Sequence, residues 1–147
     1  MADVGRRAVA RPSRSWQPGL VNTPIQPPSL APPAANYSHA VAVTNPTRWL
    51  HTSGVVPTAP DGTVPATLSE QAEVVWANLA AIINEAAMTA RDVVSITTYV
   101  VEGNDLGVVM AARDRAMAGH RPASTLVLVP ALARPEWKME IALVAAR

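Results

Sequence analysis

Seven of the 14 prolines in this chain of 147 residues fall before Ala34. Proline lacks a backbone N–H and holds φ near one value, so this stretch cannot become a helix or a central strand. Extended coil or polyproline II is what remains to it. Arg6, Arg7, Arg11 and Arg14 are balanced there by Asp3 alone. Residues 1–35 therefore read as a Pro/Arg-rich N-terminal arm, and residues 36–147 as the folded domain. Two roles stay open for the arm: a solvated basic tail, or a strap on a neighbouring subunit anchored by Trp16, Leu20, Val21 and Ile25.

From Tyr37 onward the pattern turns regular. Residues 39–44 and 48–56 are short runs rich in β-branched side chains, joined by Asn45-Pro46-Thr47, which predicts a hairpin. Pro57 to Pro65 is a loop that turns at Asp61-Gly62. Thr67-Leu68-Ser69-Glu70 matches a capping box, in which Thr67 caps the helix and Glu70 reaches back. Leu68, Ala72, Val75, Leu79, Ile82 and Ala86 follow at spacings of four and three, an amphipathic helix to about Ala87. Val93 to Val101 is rich in Val, Ile, Thr and Tyr and reads as a strand. A second helix spans about Asp105 to Ala118, capped by Asn104 or Asp105, with Gly119 past its end. Its inward stripe holds Leu106, Val109, Met110, Arg113 and Met117. Arg113 is the odd member, expected to snorkel to solvent or to pair at a subunit edge.

Two last strands, at about 124–129 and 137–145, complete the order β-β-α-β-α-β-β. That order is an α+β layer with both helices on one face of one sheet. In the final strand Lys138, Glu140, Ala142 and Val144 point away from the face shared by Trp137, Met139, Ile141 and Leu143. The uncovered face needs something to pack on, and a cyclic oligomer supplies it. Composition agrees, because only 16% of residues are charged while 49% are hydrophobic, as expected where other subunits cover much of the surface.

Several function classes drop out. The cysteine count is zero, which removes disulfides, thiolate metal sites and cysteine nucleophiles. Neither GxGxxG nor GxxxxGK[ST] occurs, and His39, His51 and His120 form no HxH or HExxH spacing, so neither cofactor nor metal is expected. A net charge of +1 without a basic, aromatic-interleaved sheet argues against nucleic acid as a partner. No apolar run reaches membrane-spanning length, and Arg6-Arg7 precedes prolines rather than a hydrophobic segment. A cytoplasmic protein is the expectation.

Four islands occur in order: Tyr37-Ser38-His39-Ala40-Val41, Thr52-Ser53-Gly54, Arg121-Pro122-Ala123-Ser124-Thr125 leading into Leu126-Val127-Leu128-Val129, and Lys138-Met139-Glu140-Ile141. In them the chain resembles the Rid (YjgF) family over roughly Tyr37 to Arg147. The resemblance implies a chorismate-mutase-like homotrimer with ligand clefts between subunits and hydrolysis of imines or enamines. It implies that Glu140 positions or activates water, that Tyr37 lines the cleft, and that the backbone of Ser53-Gly54 faces the ligand. Three positions depart from the deaminating members. Ser124 stands where they have an arginine that clamps a substrate carboxylate, Val55 where they usually have glutamine, and Met110 where some have asparagine. A serine hydroxyl cannot reproduce the planar, charged fork of arginine. The usual 2-aminoacrylate deaminase activity is accordingly expected to be weak or absent.

The expected site therefore has Glu140 and Tyr37 as catalytic residues. Ser53, Gly54, Val55, Ser124, Thr125, His51 and Met110 are its substrate-binding residues. Each has a second reading. Glu140 fits an interface ion pair with Lys138 of another subunit or with Arg113. Tyr37 fits a core aromatic, and Ser124 and Thr125 fit a capped strand end. His51, on the strand that ends at Ser53-Gly54, is expected to border the cleft as an acid or base, or else to be structural. Two functions follow. One is an enzyme performing hydrolytic or proton-transfer chemistry on an imine-like, enamine-like or biosynthetic intermediate. The other is a non-catalytic ligand-binding or regulatory trimer.

Overall fold

The computed structural model describes residues 21–147. The expected anchors Trp16 and Leu20, and all four arginines of the arm, lie outside the described residues. Part of the arm is a strand. β1 (Asn22–Ile25) pairs antiparallel with β2 (Ala40–Val43), Asn22 opposite Val43 and Ile25 opposite Ala40. Pro24 is tolerated because a two-stranded ribbon consists only of edge strands. The Asn22 side-chain amide fastens the ribbon to the body, donating to the carbonyls of Asp92 (3.2 Å) and Ala146 (2.9 Å).

The hairpin expected between residues 39–44 and 48–56 does not form. Its first run pairs back onto β1, and its second, β3 (Trp49–His51), pairs with the last strand of the chain. The connection explains this. Asn45 takes a left-handed φ of 48°, and the N–H groups of Thr47 and Arg48 both donate to the Arg147 carbonyl at 2.7 and 2.8 Å. The chain is thereby steered away from β2 and onto the C-terminal edge.

α1 (Leu68–Glu85) starts at the expected capping box, with the Thr67 hydroxyl accepting from the Glu70 N–H and the Glu70 carboxylate accepting from the Thr67 N–H. It buries Gln71, Ala72, Val75, Trp76, Leu79 and Ile83, while Ile82, expected inside, is exposed. A 3-10 turn (Ala90–Asp92) leads into β4 (Val93–Val101). α2 (Leu106–Met117) is capped by Asp105, whose carboxylate accepts from the Gly107 N–H at 2.8 Å, and stops where Ala118 and Gly119 both turn left-handed. β5 (Ala123–Val129) and β6 (Met139–Ala146) finish the chain.

The main sheet has the order β3-β6-β4-β5. β4 and β5 run parallel through the α2 crossover, and the other pairs are antiparallel. Both helices cover one face of this α+β layer. Val75, Leu79, Ile96, Val100, Met139 and Ile141 are buried there, each worth about 1.5–3 kcal/mol of transfer free energy. Pairing places Ser95, Thr97 and Tyr99 beside Ala123, Thr125 and Val127 on one side and Val144, Ala142 and Glu140 on the other. These residues form the opposite, open face. Of them only Glu140 carries a charge.

Candidate functional site

Glu140 is set into the open face by a break in β3. His51 pairs with Val144, yet the next bridge joins Val55 to Ile141, so four steps along one strand match three along the other. One extra residue has been inserted, which is a β-bulge. Thr52 holds its near side: its N–H donates to the Leu143 carbonyl (3.1 Å), and its hydroxyl accepts the Leu143 N–H (3.0 Å). Beyond the bulge Val55 and Ile141 exchange backbone hydrogen bonds at 2.7 and 3.0 Å. Ser53 and Gly54 are the bulged pair.

Gly54 is required by its neighbour rather than by its own backbone. A Cβ placed there would overlap Oε1, Cδ and Cγ of Glu140. The carboxyl arm of Glu140 thus lies in the space a side chain would take. Among the described residues that carboxylate has neither a hydrogen bond nor an ion pair. It is half-buried, with one side against backbone and the other toward the uncovered face. A carboxylate so placed can take or give a proton to a small molecule lying on the sheet.

A second polar group lies at the start of β5. Ser38 is stitched to the outer edge of that strand: its N–H donates to the Pro122 carbonyl (3.0 Å) and its hydroxyl to the Arg121 carbonyl (2.6 Å). Tyr37 is thereby fixed beside Ala123, half-buried, edge-on to the His39 ring at 6.0 Å. Next to it the Asn36 amide donates to Asp114 (2.8 Å), and Asp114 accepts from Nε (3.0 Å) and Nη2 (2.7 Å) of Arg113. The third guanidinium nitrogen, Nη1, donates to the Ser124 hydroxyl at 3.3 Å. Burial pushes the Asp114 carboxyl up, but hydrogen bonds from Asn36 and Arg113 and the charges of Arg113 and Arg121 outweigh it. The group ends below its ordinary value. Arg113 neither snorkels nor awaits a partner at a subunit edge, as the sequence had suggested. It is buried, and its charge is met by the residue beside it.

The expected site residues therefore fall into separate places. Glu140, Ser53 and Gly54 meet at the bulge. Tyr37 and Ser124 gather at the head of β5, and Ser124 lies three residues and two strands away from Glu140, which is level with Tyr99 and Val127. At strand dimensions that is about 14 Å. Ser124 and Thr125 point to opposite faces, Ser124 toward α2 and Thr125 onto the open face, because side chains alternate along a strand. Val55 turns inward and packs in the core. His51 is exposed and stacked on Trp49 at 6.0 Å. It lies four residues along β6 from Glu140, roughly 13 Å. Met110, expected on the inward stripe of α2, is exposed, and Ala112 is buried instead.

Sequence reasoning missed three residues that position this site. Thr52 shapes the bulge, and Asp114 anchors both Asn36 and Arg113. Gln71, on α1, donates to the carbonyls of Pro65 and Glu136 (2.8 Å each) and accepts the Lys138 N–H (2.9 Å). It pins the entrance of β6 two residues before Glu140. A polar residue at a buried position of an apolar helix stripe was the available signal for Gln71.

A family model described as Ribonuc_L-PSP, Endoribonuclease L-PSP, matches residues 28–147. The chain belongs to this family, the Rid (YjgF) proteins. Its fold superposes on the Rid protein YyfB of Yersinia pestis with a TM-score of 0.79 at 30% identity, covering 87% of this chain and 100% of that one. Escherichia coli TdcF, crystallised with bound serine, is 25% identical with a TM-score of 0.64, over 76% of this chain and 87% of TdcF. The mitochondrial protein MMF1 of Saccharomyces cerevisiae is 26% identical over 129 residues, 86% of this chain and 87% of that relative. Rid membership places the chain among proteins that bind or process small molecules. No helix among the described residues is long and apolar enough to cross a membrane.

Proposed function

We propose that this Rid protein is a cytoplasmic homotrimer that promotes hydrolytic or proton-transfer chemistry on a small imine-like or enamine-like intermediate. Its clefts form where subunits meet. The observation that carries this reading is Glu140, a charged side chain on the open face, seated over a glycine and without a hydrogen bond or ion pair among the described residues. Two further facts support it. The sheet leaves Trp49, Leu126, Val127 and Leu128 exposed, apolar surface of the kind a second subunit covers. The bulge and the head of β5 are also too far apart in one chain to share a small ligand, so a second copy has to bring them together. In this arrangement Glu140 manages the proton or water, Tyr37 orients the ligand from the neighbouring subunit, and the Ser53-Gly54 backbone faces it.

The serine bound to TdcF fits a cleft of amino-acid size. Ser124 changes what this chain accepts there. Its hydroxyl already receives Arg113 Nη1, and the Arg113 charge is met by Asp114, so a free carboxylate would find no unpaired guanidinium at this position. The substrate is accordingly one without the α-carboxylate of 2-aminoacrylate. The same observation supports a second reading, a binding or regulatory trimer with no turnover.

One experiment decides between these. 2-Aminoacrylate is generated in situ from serine by a dehydratase and pyruvate release is followed, alongside neutral imines. Rapid release from 2-aminoacrylate would refute the role given to Ser124. Turnover of a neutral imine that is lost in Glu140→Gln, with the trimer retained, supports the enzyme. Ligands that raise the melting temperature but are recovered unchanged would support the binder instead.

A further inference from the structure

The cluster at the head of β5 balances its own charge and ends on one hydroxyl. Arg113 is buried, and its three nitrogens are all engaged. Nε and Nη2 donate to Asp114 Oδ1, and Nη1 donates to Ser124 Oγ. A guanidinium accepts nothing, so the hydrogen from Nη1 enters on a lone pair of the Ser124 oxygen. The hydroxyl's own hydrogen is thereby left to point elsewhere. Among the described residues it meets no acceptor. Ser124 is half-buried rather than sealed, so a ligand can supply that acceptor. Receiving a charged donor also polarises the hydroxyl and makes it the stronger donor in turn.

Resting on the cleft proposed above, we infer that the head of β5 recognises the uncharged carbonyl oxygen of a small amide, ester or ketone, which accepts the Ser124 hydroxyl hydrogen. Ser124 touches the ligand. Asp114 is a positioning residue that acts through Arg113 and decides which charge the position accepts.

The argument for Asp114 is one of occupancy. Its Oδ1 already holds two guanidinium nitrogens, and Asn36 Nδ2 secures its Oδ2 at 2.8 Å. An incoming carboxylate has to displace Asp114 or lie beside the pair with its charge unmet. Leaving a charge unmet in a half-buried position costs more than one hydrogen bond returns. Arg121 does not alter this, because it is exposed, where water and salt screen it, and it reaches only Asn36 Oδ1 at 3.4 Å. A neutral oxygen needs no more than the one hydrogen Ser124 has to give.

The probes are pyruvamide and pyruvate, alike in shape and different in charge. Each is titrated into the full 15N-labelled chain in its assembled form, and the resonances of Ser124, Tyr37 and the Ser53-Gly54 bulge are followed. Pyruvamide is expected to shift Ser124 and Tyr37 saturably, with pyruvate binding at least about tenfold more weakly. Ser124→Ala should weaken pyruvamide several-fold while the spectrum stays that of a folded chain. Asp114→Asn keeps the side chain's shape and removes its charge. It should reverse the preference in favour of pyruvate, which a mere loosening of the fold would not do. Pyruvate binding to the wild type as tightly as pyruvamide overturns the inference, and that comparison needs no variant. So does a pyruvamide response that bypasses Ser124 or survives Ser124→Ala undiminished. A folded Asp114→Asn that still prefers pyruvamide strikes out the part given to Asp114. Failure of the proposed chemistry reads out separately: neutral-imine turnover unchanged in Glu140→Gln removes Glu140 from its role and leaves the Ser124 preference standing.

Discussion

Gly54→Ala tests the claim that this glycine exists to seat Glu140. The added Cβ would coincide with the carboxyl arm of Glu140, which must leave. Forcing an extra methyl into packed structure costs about 1–3 kcal/mol, and the lower end applies because the displaced group is the end of a flexible, half-buried side chain. In an Glu140→Ala background the slot is empty. Gly54 does not take a left-handed φ, so alanine is sterically acceptable there and should stabilise by about 0.4–1 kcal/mol through the unfolded state. The two effects differ in sign, and their difference is a coupling of roughly 1.5–2 kcal/mol, well above the error of a cycle on neighbouring residues. The assay is urea unfolding of the wild type, both single variants and the double variant at one protein concentration, since assembly shifts apparent stability. In melting temperature the coupling is about 4–8 °C for a chain of this size. Equal destabilisation by Gly54→Ala in both backgrounds would refute the reasoning and return the glycine to a role in backbone geometry or ligand contact.

Gln71→Leu removes three hydrogen bonds made by a buried amide, to the carbonyls of Pro65 and Glu136 and from the Lys138 N–H. It should cost about 2–4 kcal/mol, read by chemical denaturation, and a loss under 1 kcal/mol would show that water replaces the amide. Asp114 has a folded-state pKa held below its ordinary 3.8. Its contribution is therefore complete above that value and is lost as pH falls through the lower folded pKa. Acid unfolding of the wild type should show this limb and Asp114→Asn should lack it, and identical acid limbs would contradict the assignment. Thr67→Ala should lower stability by about 1 kcal/mol through loss of the helix cap, with an unchanged melting temperature refuting it.

Much of the fold was legible because its signals are local. Thr67 and Glu70 announce the start of α1 in four residues, and Asp105 and Gly119 bracket α2 in the same way. The alternation in Met139–Ala146 named the open face correctly, since a period of two needs no knowledge of the partner strand. The pairing of β2 was not legible, because the competing partner, Asn22–Ile25, sits among prolines that lower its strand score while leaving an edge ribbon possible. Nor was the bulge. A run such as Trp49 to Val56 reads as one strand, and only the count against β6 reveals the added residue. The site was half visible for the same reason. Glu140 and Gly54 were named separately, but that one occupies the other's missing side chain is a fact of tertiary distance. Ile82 and Met110 failed because helical spacing defines a stripe more broadly than the sheet beneath it covers.

The bulge has a consequence for how this protein tolerates length change. Removing Ser53 would close the count, letting Thr52, Gly54 and Val55 face Leu143, Ala142 and Ile141 one for one. Every flanking side chain would keep its side of the sheet, an outcome that deletion inside a strand seldom allows. The fold thus contains a residue it can spare, at the place where its ionisable side chain is held. Shortening the chain there would yield a straighter β3 with the same core, and would separate what the domain needs in order to stand from what it needs in order to act.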